Sequence, residues 1–262
     1  MTAIPPCRRT RRAALTSALC ALAVVTGTGL TGCSGGDPDA GTNGVGKLPA
    51  DRIQARSRTA AESAGAVHLS GNVVSNGRTY RLDMRLKSGG GTGSVTSQGV
   101  TFGLLRVGRQ LYLKADAQFW DSADGDGKDG DHTANGKNGP DGGAAGKLDG
   151  KYVKVPQDDP AYKRFSGFTD KGVLLESLLT LHGTLATDGH HEQSGVRTVR
   201  VTGGKGTGGT LDVSLEGTPY PLRLVRAGDA GTLSFSEWGK DFPLAEPDAD
   251  DTVDYGKQLP AS

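Results

Sequence analysis

The sequence predicts an α+β fold, in which a meander of antiparallel strands is covered on one side by helices. Two observations predict it: apolar and polar residues alternate along much of the chain, and only two stretches show the helical period. Alternation gives a sheet one apolar and one solvated face, and the apolar face has to be covered by other elements. We therefore expect about two helices packed on one face of the sheet.

The strands are predicted from runs with a period of two residues, joined by short turns. In RTYRLDMRLK, the apolar Tyr80, Leu82, Met84 and Leu86 alternate with charged residues, which makes one face of the strand apolar. Similar runs cover residues 66–74, 100–107, 110–115, 152–155, 196–202, 210–215, 220–225 and 231–235. Short turns between many of these runs are typical of an antiparallel meander.

The helices are predicted from stretches with a period of about 3.6 residues. DKGVLLESLLTLHG offers Asp170 as an N-cap, a stripe of leucines and Gly183 as the residue that stops the helix. The weaker DRIQARSRTAAESAG has Asp51 and Gln54 at capping-box spacing, with Ile53 and small alanines on its buried side.

The first 32 residues have the composition of a secretory signal. Four arginines with no acidic residue precede a short apolar run over residues 13–25, which is too short and too rich in Gly and Thr near its end for a comfortable membrane span. We expect residues 1–32 to be removed on export. TRRAAL hints at the twin-arginine route, but the general secretory route stays equally open.

The residues at the end of the signal, Leu30 to Cys33, resemble the bacterial lipobox. That resemblance implies a Cys33 that is diacylated and holds the protein on the outer face of the cytoplasmic membrane, where two acyl chains anchor far more firmly than one. The alternative is ordinary cleavage that leaves a free thiol. Cys7 and Cys20 lie in the removed part, so the exported chain has no internal disulfide.

The exported chain is predicted to contain a tether and one domain. Residues 33–47 are the lipidated cysteine and a flexible tether rich in Gly and Asp, residues 48–260 form a single domain, and residues 121–147 are a disordered Gly/Asp-rich loop inserted in it. Thirty basic residues less four in the signal leave 26 against 29 acidic ones. This balance argues against a nucleic-acid partner.

The motifs with possible chemistry are weak. Gly-x-Gly-x-x-Gly occurs three times, but never between a strand and a helix, and DGDGKDGD fails the calcium-loop pattern at its fifth, sixth and twelfth positions. We interpret His190, His191 and Glu192 as a polar hairpin turn with Thr187–Gly189, since no third metal ligand is spaced nearby. We predict no catalytic residue, no metal site, no cofactor and no enzymatic activity.

A family resemblance rests on the order of several segments. A lipobox, a Gly/Asp tether, a first helix, VGRQLYLKADAQFW in the meander, a Leu-rich helix and the closing TPYPLRLVRAGDAGTLSFSEWGKDFPLAEP together resemble the LppX/LprAFG lipoproteins, whose fold is similar to that of LolA and LolB. The resemblance spans most of residues 48–247. It implies an incomplete, strongly curved antiparallel barrel with helices packed into its open side. It also implies an apolar cavity between them, which in relatives holds the acyl chains of a lipid or lipoglycan.

The resemblance leads to a lipid or other apolar ligand as the expected partner, with the membrane bound through Cys33. The candidate wall of the cavity is Leu82, Met84, Phe102, Leu104, Leu113, Leu174 and Leu178. Trp120 and Trp238 end strands, and we expect them to close the rim of the barrel. The alternative is a non-transporting interaction or structural lipoprotein of the envelope whose core is filled by its own side chains.

Overall fold

A computed structural model describes residues 39–75, 77–120 and 144–254. Twelve strands form one sheet in the order β12-β6-β5-β4-β3-β2-β1-β11-β10-β9-β8-β7. The strands are β1 (Ala66–Ser75), β2 (Arg78–Lys87), β3 (Gly90–Ser97), β4 (Val100–Val107), β5 (Gln110–Ala115), β6 (Tyr152–Val155), β7 (Leu185–Gln193), β8 (Val196–Gly203), β9 (Thr210–Ser214), β10 (Pro221–Val225), β11 (Thr232–Ser236) and β12 (Thr252–Asp254). The helices are α1 (Ala50–Ser63), α2 (Ala144–Leu148), α3 (Pro160–Thr169) and α4 (Lys171–Leu178).

The sheet is an open half-barrel whose inner face is apolar. Its pairs are antiparallel except for β12 with β6, and its two ends, β12 and β7, are not joined to each other. Along β2, Leu82, Met84 and Leu86 are buried while the charged residues between them are exposed. The α+β class that this alternation predicts is confirmed, and so is the half-barrel that the family resemblance implies.

The helices cover the inner face in two groups. α1 packs on β7 to β10 and contacts α4, whereas α3 packs on β2, β3 and β4. α1 turns Ile53, Ser57 and Ala61 inward. Within the described part of the chain, none of the helices combines the length and the apolar character that crossing a bilayer requires.

The ends of two helices differ from the prediction. Asp170 caps α4 as expected, because its carboxylate accepts a hydrogen bond from the Val173 amide, but α4 ends at Leu178 and not at Gly183. The chain leaves the helix there to pair with another turn, where the His182 amide donates to the Gly208 carbonyl. The capping box in α1 does not form, since the Gln54 side chain accepts a hydrogen bond from the Leu181 amide instead.

Several described elements lie outside the predicted pattern. Those not predicted are β3, β7, β12, α2 and α3. The predicted hairpin turn at residues 187–192 is wrong, because these residues lie inside β7, an edge strand with a bulge between Thr187 and His190. Residues 144–147 of the predicted disordered loop are helical in α2, and the rest of that loop lies outside the described residues.

The tether prediction is also wrong for its described part, residues 39–47. The Asn43 amide donates to the Leu215 carbonyl at 2.8 Å, and its side-chain amide donates to the carbonyls of Ser214 and Gly217. Val45 is buried in a short 3₁₀ helix. A polar side chain thus binds carbonyls where β9 ends, and this fixes residues that composition alone marks as flexible.

Strand register gives the half-barrel two rims. At the polar rim, Ala66 begins β1, Lys87 ends β2 and Ser214 ends β9. The aromatic rim is formed by the opposite ends of the strands, where Arg78 begins β2 and Ala115 ends β5. Every strand runs between these rims, so residues are placed along the barrel by their position in the strand.

The outer face of the sheet is crossed by an extended segment, residues 237–246. Lys87 Nζ contacts Asp241 Oδ1 at 2.7 Å, and the Tyr112 hydroxyl donates to Glu246 Oε2 at 3.0 Å. Burial and this carboxylate together raise the pKa of Tyr112 to about 12. The segment therefore links β2 to β5 from outside, before the chain joins β6 as strand β12.

Candidate functional site

All seven predicted cavity residues lie in one hydrophobic cluster on the inner face. Leu82, Met84, Leu104 and Leu113 are at most 1% exposed, so in this conformation they border no space wide enough for water. The other three, Phe102, Leu174 and Leu178, are 6–9% exposed and lie at the margin of the cluster. The structure brings the seven together, and their role in ligand binding stays a prediction.

Aromatic side chains from distant parts of the sequence meet at the aromatic rim. Phe102 lies 5.3 Å from Phe119 and 5.2 Å from Phe165 between ring centroids, and Tyr80 lies 5.9 Å from Phe168. Tyr80, Phe119 and Phe168 are only half-buried. The core is therefore less completely closed at this rim than it is around the leucines deeper inside.

Trp120 lies at the edge of this aromatic group and carries an unpaired polar atom. Its ring packs against Phe119 with centroids 5.0 Å apart, and the residue is 2% exposed. Its indole Nε1 has no hydrogen-bond acceptor among the residues that the structure describes. A buried N–H without an acceptor is costly, and native structures rarely contain one.

The junction of α3 and α4 is bound to the polar rim by Arg106. The Nε of Arg106 donates to Thr169 Oγ1 at 3.1 Å, and Nη2 donates to the Thr169 carbonyl and to Asp170 Oδ2, both at 3.0 Å. Arg106 follows Phe102 and Leu104 on the inner face of β4. An arginine on an apolar face is thus satisfied by helix-terminal groups, and it fixes where the helices lie.

Lys171 binds α4 to the end of α1. Its Nζ donates to the carbonyls of Glu62, at 2.8 Å, and of Ala61 and Ala64, which are carbonyls at the C-terminus of α1. Burial lowers the pKa of Lys171, and the charge of Glu62 opposes that shift. A cation at a helix C-terminus also interacts favourably with the helix dipole.

A groove of about 570 Å³ lies on the outward side of α1. Two of its lining residues come from outside α1: Leu48 precedes the helix in the chain, and Pro219 lies in the turn between β9 and β10 at the polar rim. The remaining six come from α1 itself and are mostly small: Arg52, Ala55, Arg56, Thr59, Ala60 and Ser63. The groove is therefore basic, with two arginines and no acidic residue in its lining.

The histidines of β7 point to separate partners. His190 Nε2 lies 3.0 Å from Asp39 Oδ1, whereas His191 Nε2 lies 2.8 Å from the Asp188 carbonyl oxygen. Over residues 39–75, 77–120 and 144–254, no three His, Cys, Asp or Glu residues come together as metal ligands. The third glycine motif, residues 204–209, forms the turn between β8 and β9, and no α-helix follows it.

Comparisons with known proteins give structural likenesses only. No protein-family model matches the chain, and no curated protein matches it. LprF from Mycobacterium bovis matches with 17% identity and a TM-score of 0.47, over 76% of this chain and 96% of that one. The lipoprotein LppX from Mycobacterium tuberculosis matches with 16% identity and a TM-score of 0.43, over 74% and 99%.

LprF and LppX are both among the names of the family that the sequence resembles. An uncharacterized conserved protein from Thermus thermophilus also matches, with 11% identity and a TM-score of 0.33, over 78% of this chain and 98% of that one. Likenesses at this level say nothing about what the chain binds.

Two functional elements were not predicted from the sequence. The inward position of Arg106 is visible there, because the alternation that places Phe102 and Leu104 inside places Arg106 inside as well. The groove on α1 gives no such signal, since arginines and small residues on a helix are also typical of an ordinary solvated face.

Proposed function

We propose that the protein is a membrane-anchored, extracytoplasmic lipoprotein that binds a lipid or another apolar ligand between the sheet and its covering helices. Lipidation of Cys33 holds it on the outer face of the cytoplasmic membrane. Such a protein surrounds the hydrocarbon of its ligand with apolar side chains in place of water, and this requires no catalytic group.

The observation that carries this proposal is the half-buried aromatic group at the aromatic rim. Tyr80, Phe119 and Phe168 expose part of their rings next to the buried Phe102 and Phe165. An apolar chain that enters here meets flat, apolar surfaces that are already partly dehydrated. From this rim it reaches the seven residues of the predicted wall.

Binding requires the helices to move away from the sheet. The deep leucines are fully packed, so a ligand has to take over contacts that α3 and α4 now make with the inner face. Hydrocarbon supplies equivalent contacts, and moving a chain of about 16 carbons out of water contributes on the order of 10 kcal/mol at about 0.8 kcal/mol per CH₂. That free energy is sufficient to offset a modest separation of the helices.

The test is native mass spectrometry of the protein purified from its own membrane, combined with binding of a fluorescent fatty acid. We expect a stoichiometric lipid on the purified protein. Tyr80→Ala, at the aromatic rim, is expected to weaken fatty-acid binding about tenfold, since an aromatic contact of this size is worth about 1 to 1.5 kcal/mol. The matched control is Tyr220→Ala, which removes a ring stacked on Trp238 at the polar rim.

Equal binding by the two variants, together with folded protein that carries no lipid, would overturn the carrier proposal. The second candidate function would then hold: an envelope interaction or structural lipoprotein with a filled core. The observation that favours it is the complete burial of Leu82, Met84, Leu104 and Leu113. Intact mass reports the acyl chains on Cys33 independently of either outcome.

A further inference from the structure

We propose that the groove on α1 docks on the headgroups of anionic phospholipids in the bilayer that holds the anchor, and so orients the half-barrel with its polar rim toward the membrane. This inference rests on the lipidation of Cys33 in the proposed function, but not on ligand binding by the half-barrel.

The first step is the short distance along the chain from the anchor to the ordered domain. Asp39 is the sixth residue after Cys33 in the sequence, and six residues span at most about 20 Å when extended. From Asp39 onward the chain is fixed, because Asp39 contacts His190 and Asn43 binds the carbonyls of Ser214 and Gly217. The anchor therefore holds the polar rim, and not the aromatic rim, near the bilayer.

The second step is the position of the groove beside this attachment. Leu48, which lines the groove, lies five residues after Asn43, and Pro219 lies two residues after the Gly217 carbonyl that Asn43 binds. The end of the groove that Leu48 and Pro219 form therefore lies beside the attachment at the polar rim. A bilayer within reach of the anchor is within reach of the groove as well.

The third step is charge. Arg52 and Arg56 are exposed on the face of α1 that lines the groove, and Arg56 has no ion-pair partner among the described residues. Arg52 has only a loose contact with Asp51, at 4.0 Å between exposed groups. Guanidinium groups bind phosphate through paired N–H donors, and the small residues between them leave room for a headgroup to approach.

The experiment places a fluorophore on the diacylated protein in vesicles that contain a headgroup-bound quencher. Cys7 and Cys20 lie in the signal and the thiol of Cys33 is acylated, so one introduced cysteine is the only free thiol. Thr218→Cys labels the polar rim beside the groove, and Thr79→Cys labels the aromatic rim. Both positions are threonines outside the buried core, which makes the pair matched.

In vesicles of phosphatidylglycerol and phosphatidylcholine, we expect quenching at position 218 to exceed quenching at position 79 about threefold, because the rims lie roughly 30 Å apart along the strands. Vesicles of phosphatidylcholine alone should reduce that ratio. So should Arg52→Gln with Arg56→Gln, since each charge near an anionic surface favours the docked orientation about fivefold. Arg78→Gln with Arg81→Gln removes the same charge at the aromatic rim and should leave the ratio unchanged.

Equal quenching at the two positions, or a ratio unaffected by Arg52 and Arg56, would overturn the docking proposal. Either result would leave ligand binding by the half-barrel untouched, because the fatty-acid assay does not depend on orientation. Protein whose intact mass lacks the acyl chains would overturn the anchor itself, and the docking inference with it.

Discussion

The two rims of the half-barrel are stabilised by different kinds of contact. At the polar rim, Arg106 and Lys171 donate hydrogen bonds to carbonyl and carboxylate oxygens of the helices, with distances close to 3 Å. At the aromatic rim, Tyr80, Phe102 and Phe119 make ring contacts whose centroids are 5 to 6 Å from their partners. Hydrogen bonds require a polar replacement when they break, whereas ring contacts are easily replaced by hydrocarbon. We therefore expect the aromatic rim to open first.

The two tryptophans illustrate the same difference. At the polar rim, Trp238 stacks on Tyr220 and its Nε1 donates to the Pro221 carbonyl at 3.0 Å. At the aromatic rim, the Nε1 of Trp120 has no acceptor among the described residues. Trp238 follows the end of β11 as the sequence predicts, whereas the prediction is wrong for Trp120, which lies in a helical stretch over residues 117–120 after β5 has ended. Among the described residues, only the Trp238 ring has an acceptor for its N–H. Within the described residues, the aromatic rim thus contains a buried donor that has no acceptor.

The largest expected effect comes from breaking the polar rim at Arg106. Arg106→Met leaves oxygens of Thr169 and Asp170 without their donor, and we expect a loss of about 2 to 3 kcal/mol in the free energy of unfolding. Urea denaturation measures it. The control is Arg109→Met, which removes an exposed hydrogen bond to Gln157 and should cost less than about 0.5 kcal/mol. Similar losses in both variants would show that Arg106 does not hold the helices.

An intermediate effect should distinguish the tryptophans. Trp238→Phe removes a hydrogen-bonded N–H, whereas Trp120→Phe removes a buried N–H that has no acceptor among the described residues. Both variants lose a similar amount of ring surface, so we expect Trp238→Phe to be the less stable of the two by about 1 kcal/mol. Thermal unfolding of the two proteins under the same conditions makes the comparison. The reverse order would mean that Trp120 has an acceptor in solution.

The smallest effect concerns the outer segment. The Tyr112 hydroxyl should ionise near 12 and not near its ordinary value of 10.0, because burial and Glu246 disfavour the phenolate. A pKa raised in the folded state contributes stability below the ordinary value and loses it as the pH rises toward about 12. Phenolate absorbance of the wild type minus that of Tyr112→Phe isolates this group. A difference titrating near 10 would contradict the contact with Glu246.

Strands with regular alternation are the part of the fold that the sequence predicts well. β4, β5 and β6 begin and end at the predicted residues. β3 escapes prediction because glycine replaces the apolar residues that would mark its inner face. At Gly91, a Cβ would lie 2.5 Å from Leu86 Cδ2 and 3.2 Å from the Thr169 carbonyl oxygen. Close packing of the α3–α4 junction on β3 thus requires glycine. The same glycine removes the alternation of apolar and polar residues by which β3 could be predicted.

The candidate site is harder to predict because its parts are far apart in the chain. Tyr80, Phe102, Phe119 and Phe168 belong to four different segments, and only the strand register brings them to one rim. Order in residues 39–47 likewise depends on Asn43 meeting carbonyls that lie over 170 residues away. Neither the ring contacts at the aromatic rim nor the hydrogen bonds of Asn43 can be predicted from composition.

If Cys33 is lipidated as proposed, the anchor and the aromatic group belong to opposite rims, and this has a consequence for ligand exchange. A ten-residue strand such as β1 is about 33 Å long, which is close to the thickness of a bilayer's hydrocarbon core. With the polar rim on the headgroups, the ligand would enter and leave at the aromatic rim, on the side that faces away from the cytoplasmic membrane. The molecule that delivers or receives the ligand would then be a second component that faces this membrane. Direct return of the ligand to the membrane would expose its hydrocarbon to water over the length of the half-barrel.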